Sequence, residues 1–192
     1  MPRKSGKPPT PASETTVASA LKALQSGGPN SERSVQAFLD RIGFARLETP
    51  ASVAALSNAT TRAIHGALPT HPLLAAHVVM RIAECRPPAE TTGSPTLTTT
   101  YLWLAQCAGY AISSLPNDFP DCAQLLESAA FMPLNESRFA CSSLRKAILL
   151  RPECPSAVLY YAATAWPIED ARTIDANPNA PEEARVVLAL RK

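Results

Sequence analysis

The sequence predicts an all-α fold, an irregular helical-repeat solenoid of short helices joined at proline corners, and three observations carry that prediction. First, the segment from Leu144 to Lys192 states one device twice: Pro-x-x-Pro followed at once by a helical apolar pattern, at Pro152 and Pro155 and again at Pro178 and Pro181, 26 residues on. Second, the device has versions upstream, at Pro69 and Pro72 and, one residue longer, at Pro116 and Pro120. Third, counting from the second proline, offsets +3, +6, +7 and +10 carry Ala75, Val78, Val79 and Ile82 in one copy and Val158, Tyr161, Ala162 and Ala165 in another. Those offsets trace one face of a helix. The residue before a proline is driven out of the α region, so the first proline of each corner stops the incoming helix. The second proline suits the N1 position, where a missing N–H costs nothing.

Taken in order, residues 1–13 hold four prolines and the basic Arg3, Lys4 and Lys7, with too little apolar surface to offset the entropy of ordering, and predict a disordered tail. Residues 14–47 predict a helical hairpin or cap. Its first helix runs through Val17, Ala20, Leu21 and Leu24 to Gly27 and Gly28, its second through Val35, Phe38, Leu39 and Ile42 to Gly43. Residues 48–192 then hold the repeats. Thr49 reads as an N-cap with Pro50 at N1, opening a short helix through Val53 and Leu56, and Ser57 and Asn58 cap the next, through Ala63, Ile64 and Leu68.

After Ile82 the composition turns to Pro, Thr, Ser and Gly, and residues 85–100 predict a loop insertion. Tyr101 to Leu115 is apolar nearly all round, which predicts a central buried helix, since fifteen residues fall short of the ~20 that cross a bilayer. Glu127 to Leu150 predicts a helix to about Met132, a turn at Pro133 to Asn135, and a helix through Phe139, Leu144 and Ile148. Arg145, Lys146 and Arg151 near its end complement the helix dipole.

The closing repeats, RPECPSAVLYYAATA and NPNAPEEARVVLAL, resemble the leucine-rich repeat variant family, with Cys154 inside Pro-Glu-Cys-Pro and the string Asn177 to Pro181 carrying the likeness. The likeness covers residues 144–192 well and 62–84 moderately. It implies a short helix, a proline corner and a longer helix stacked into a superhelix, with a binding surface and no agreed reaction. One architecture of that family adds an iron–sulfur cluster on an N-terminal cysteine cluster, which has no counterpart here because the first cysteine is Cys85. First prolines are spaced by 47, 36 and 26 residues, where a regular array holds one period.

With 192 residues the chain suits one domain, and its net charge of +2 neither demands nor excludes nucleic acid. Five cysteines without a C-x-x-C pair point to a reduced, cytoplasmic protein whose thiols, Cys122 and Cys154 beside the corners among them, are buried. His65, His71 and His77, the only histidines, sit symmetrically about the first corner and are weak metal candidates without a fourth ligand at motif spacing. No phosphate loop, dinucleotide fingerprint, zinc-protease motif or nucleophile elbow occurs, and the adjacent carboxylates Glu169 and Asp170, or Glu182 and Glu183, mark a turn and a helix start. The expectation is a non-catalytic module without cofactor or membrane segment that binds another protein. Nucleic-acid binding through Arg41, Arg46, Arg62, Arg81 and Arg86 is the alternative, and a small-molecule sensor or enzyme with its pocket under the 85–100 loop a second one.

Overall fold

Each of the first four helices opens on a hydroxyl side chain that accepts a backbone N–H otherwise left without a partner. Ser13 does so for α1 (Glu14–Gly27), Ser31 for α2 (Glu32–Arg41), Thr49 for α3 (Pro50–Ala54) and Ser57 for α4 (Asn58–Ala67), with N···O distances of 3.2, 3.3, 3.2 and 3.1 Å. At α3 the hydroxyl of Ser52 returns the bond to the Thr49 N–H, completing a capping box with Pro50 in the first turn. Beyond α4 come α5 (Pro72–Ala83), α6 (Pro95–Ser114), α7 (Cys122–Ala130), α8 (Ser142–Leu150), α9 (Ser156–Ala165), α10 (Ile168–Ala171) and α11 (Glu182–Leu190). Short 3-10 turns occupy Leu68–Thr70 and Arg172–Ala176. This computed structural model describes residues 10–28, 30–45, 47–88 and 95–191, and among them there is no strand: the fold is all-α. Most of the expected tail lies outside the described residues, but Ala12 packs on the core and Ser13 caps α1, so the end of that stretch belongs to the fold.

The prolines act in more than one way. Pro72 stands in the first turn of α5, but Pro155 (φ −61°, ψ 141°) and Pro181 (φ −67°, ψ 149°) are the N-cap residues of α9 and α11, one position earlier than N1. Proline presets φ there, and its carbonyl accepts the first helical bonds, from Leu159 at 3.1 Å and Arg185 at 3.3 Å. Pro120 lies further out, since Asp121 intervenes as the N-cap of α7. The first prolines at 152 and 178 do follow extended residues, Arg151 at ψ 127° and Asn177 at ψ 122°. Pro69 does not: Leu68 before it stays helical (φ −51°, ψ −45°), and α4 runs on into a 3-10 turn instead of stopping.

Two further expectations change. Of the threonines read as loop, Thr96, Thr98, Thr99 and Thr100 belong to α6, which begins at Pro95; Thr99 Oγ1 donates to the Pro95 carbonyl at 3.0 Å and Thr100 Oγ1 to that of Thr96 at 2.9 Å. A threonine hydroxyl bonded back one turn is satisfied inside a helix, which composition alone does not reveal. Phe139 lies outside α8, in a connection whose turn bonds run from Asn135 N–H to the Met132 carbonyl (2.9 Å) and from Ala140 N–H to that of Ser137 (3.0 Å). It is buried by stacking on Tyr101, centroids 5.0 Å apart.

The core forms around α6, which lies against α3, α5 and α8. At Gly109 an added Cβ would meet Leu144 Cα of α8 at 2.9 Å, so the two backbones approach as only glycine permits. The N-terminal hairpin is continuous with this body, since α1 packs on α4 and α2 on α5. At the other end α9 packs on α11, and the Phe131 ring after α7 meets Tyr161 of α9 at 4.9 Å.

Helix ends are held by long polar side chains from a later segment. Arg151 donates to the carbonyls of Leu115 and Pro116, both at 2.7 Å, just past the end of α6. Asn177 Nδ2 donates to those of Leu149 and Arg151 at the end of α8, at 2.7 and 2.8 Å. Arg191 reaches the Ala163 and Trp166 carbonyls at the end of α9. Arg151 is therefore a buried clamp with Glu153 beside it at 3.0 Å, and its role is contact across the fold more than compensation of its own helix dipole.

Gly109→Ala is expected to destabilise the protein by about 1–3 kcal/mol, because the methyl group has no room against α8. Gly66→Ala in α4, where an added Cβ meets nothing within 4 Å, is expected to stabilise it by about 0.5–1 kcal/mol. Urea denaturation of the two variants beside the parent checks both signs.

Candidate functional site

On α5 the offsets +3, +6, +7 and +10 are fully buried as Ala75, Val78, Val79 and Ile82, which leaves the opposite face to Leu73, Ala76, His77 and Met80. That face lines one side of an open groove of about 850 Å³. The other side comes from the turn at Pro116 to Pro120 and from Asp121, Gln124 and Leu125 at the start of α7. The turn is tight: Phe119 N–H donates to the Pro116 carbonyl at 3.2 Å and Cys122 N–H to that of Phe119 at 3.3 Å. It leaves Asp121 at φ 56°, the left-handed region that non-glycine residues seldom enter. In that conformation Asp121 makes no side-chain cap for α7. Met80, on the α5 side of the groove, is 51% exposed, and His77 Nε2 pairs with Glu32 Oε1 at 2.8 Å.

A second groove, of about 690 Å³, lies between α9 and α11. Its lining comes from the same offsets. Positions +1 and +5 after the second proline are Leu73 and His77, Asp121 and Leu125, Ser156 and Tyr160, Glu182 and Val186, and all eight line one groove or the other. Sequence reasoning found the buried offsets of this pattern on α5; on α9 Val158 and Ala162 are buried but Tyr161 is only partly so and Ala165 is exposed, and the outward offsets, which stand at fixed distances from the same prolines, were missed. Among the described residues, Asp118 and Asp121 in one groove and Glu182 and Glu183 in the other are the only Asp, Glu, Lys or Arg side chains in the lining.

The histidines are engaged separately. His65 stacks on Tyr110 with centroids 4.3 Å apart, buried His71 places Nδ1 2.8 Å from Thr70 Oγ1 and 3.2 Å from the Ala67 carbonyl, and His77 pairs with Glu32. Among the described residues no three His, Cys, Asp or Glu side chains converge as a metal site.

The arginine set disperses as well. Arg62 pairs with Glu14 at 3.3 Å and Arg81 with Glu84 at 3.3 Å; Arg41 and Arg86 are exposed, and Arg46 lies outside the described residues. Residues 89–94 of the expected loop also lie outside them, and neither groove draws on 85–88 or 95–100.

Asp170, expected at a turn, lies in the short helix α10 and is buried; it accepts from Ser142 Oγ and pairs with Arg145 at 3.3 Å, whose guanidinium lies 5.6 Å from the Trp166 ring. Its neighbour Glu169 remains exposed. Burial pushes the Cys85, Cys107 and Cys154 thiols up to about 12, the Cys122 sulfur adding to the effect at Cys154, while Arg151 partly offsets the same upward push at Cys122. Burial, with Cys85 second, pushes the Tyr101 hydroxyl up to about 12. Raised thiols are poor nucleophiles, so these side chains fill the core.

The chain matches no family model, no curated protein and no solved structure. Among the described residues no helix is long and apolar enough to cross a membrane.

The thiols fix a pH dependence. Folded thiols near 12 keep protons that unfolded thiols release from about 9, so stability is full below pH 9 and falls as pH rises from 9 toward 12. Denaturation at pH 8 and pH 10 is expected to show the loss, and Cys107→Ala to reduce its slope.

Proposed function

We propose that this chain is a non-catalytic helical-repeat module that holds another protein on the face lined by α5, α7, α9 and α11. One observation carries the reading: the outward offsets after every proline corner, +1 and +5, all line a groove. A repeated unit that buries one face and offers the other builds an extended binding surface, as solenoids do. The contacts of α5 with α7 and of α9 with α11, joined by Phe131 and Tyr161, support a stacked row of this kind. The irregular solenoid, the likeness to the leucine-rich repeat variant family and a cytoplasmic setting belong to this proposal. The dispersal of the histidines and the burial of the shifted thiols favour binding over catalysis.

Nucleic-acid binding draws less support, because two of its arginines are committed to glutamates and the grooves carry carboxylates. Capture from the source cell with nuclease, by the parent chain and by a Met80→Glu/Tyr160→Glu variant altered only at half-exposed groove positions, tests the reading. A protein retained by the parent and lost from the variant is the expected result. Recovery of nucleic acid alone, in amounts that fall steeply with salt, would replace the proposal.

A further inference from the structure

We infer that the groove between α5 and α7 takes a segment of a partner protein that presents a large apolar side chain flanked by lysine or arginine. The inference rests on the protein-binding reading and specifies the partner's chemistry. The groove offers Leu73, Met80 and Leu125 as apolar lining, and methionine is the side chain best able to reshape itself around an inserted group. Its rim carries Asp118 and Asp121, neither of which has an ion-pair partner among the described residues.

Asp121 matters most. An aspartate before a helix ordinarily turns its carboxylate onto the N–H groups of the first turn, but at φ 56° Asp121 makes no such bond. Its carboxylate is left for a ligand. With no Lys or Arg lining the groove, an acidic segment meets like charge, a phosphate backbone meets the same repulsion, and a basic one gains both attraction and apolar burial. The α9–α11 groove repeats the composition, with half-exposed Tyr160 and Val186 beside Glu182 and Glu183.

The test is selection of random peptides displayed on phage against the immobilised full chain, followed by titration of the selected peptide, labelled with fluorescein. Selected sequences are expected to place Leu, Met or an aromatic residue beside Lys or Arg. Affinity is expected to fall roughly fivefold to tenfold in Asp118→Asn/Asp121→Asn, where asparagine keeps the tolerance for positive φ, and to weaken with added salt. Met80→Lys, at a half-exposed position, is an independent second variant expected to weaken binding, and circular dichroism melting verifies that both sets fold.

Selected peptides without basic excess, or with equal affinity for parent and variants, overturn this inference and leave the protein-binding reading standing. Enrichment of no peptide together with binding of a labelled DNA duplex overturns both.

Discussion

Cutting helices short with prolines leaves carbonyl groups at every corner without a helical partner, and the fold depends on how those carbonyls are met. A buried polar group left without a hydrogen bond costs about 1–3 kcal/mol, a large share of the 5–15 kcal/mol that holds a domain together. Here the donors come from a later segment. Arg151 serves the end of α6, Asn177 the end of α8 and Arg191 the end of α9. Each clamp stands at or next to the end of a helix or 3-10 turn, so satisfying one corner also ties consecutive units together.

The same economy explains why the internal charges are few and paired. Arg145 bridges Asp170 and the Asn135 carbonyl, and Arg151 shares its guanidinium between two carbonyls and Glu153. These side chains are structural, which removes Arg145 and Arg151 from any ligand surface. Among the described residues the groove carboxylates Asp118, Asp121, Glu182 and Glu183 form no ion pair, and the acidic lining of the two grooves follows from the difference.

The post-corner helices divide their faces between two duties. Offsets +3 and +7 are buried in α5, α9 and α11, as Ala75 and Val79, Val158 and Ala162, and Ala184 and Leu188, whereas α7 buries Leu126 at +6 and leaves Ala123 and Glu127 exposed; offsets +1 and +5 line the grooves in all four. Asp121 stands where the duties meet, at the start of α7 and on the groove rim.

How much of this was legible in the sequence depends on how local its cause is. Capping hydroxyls at Thr49 and Ser57, the glycine ends at Gly28 and Gly43, and the apolar stripes of α1, α2 and α5 act over a single turn, and the sequence by itself determined them. It also contained the outward offsets, which became meaningful only when neighbouring helices made them the walls of grooves. The threonines of α6 were ambiguous because a hydroxyl satisfies a loop or the preceding helical turn equally well, and only the packing of α6 on α3, α5 and α8 decided between them. Arg151, Asn177 and Asp170 were misjudged or passed over for the same reason: their partners lie 25 to 36 residues away, beyond any spacing rule. The local physics of caps and periods drew the helices, and tertiary structure decided which side chains clamp their ends and which remain free to meet a partner.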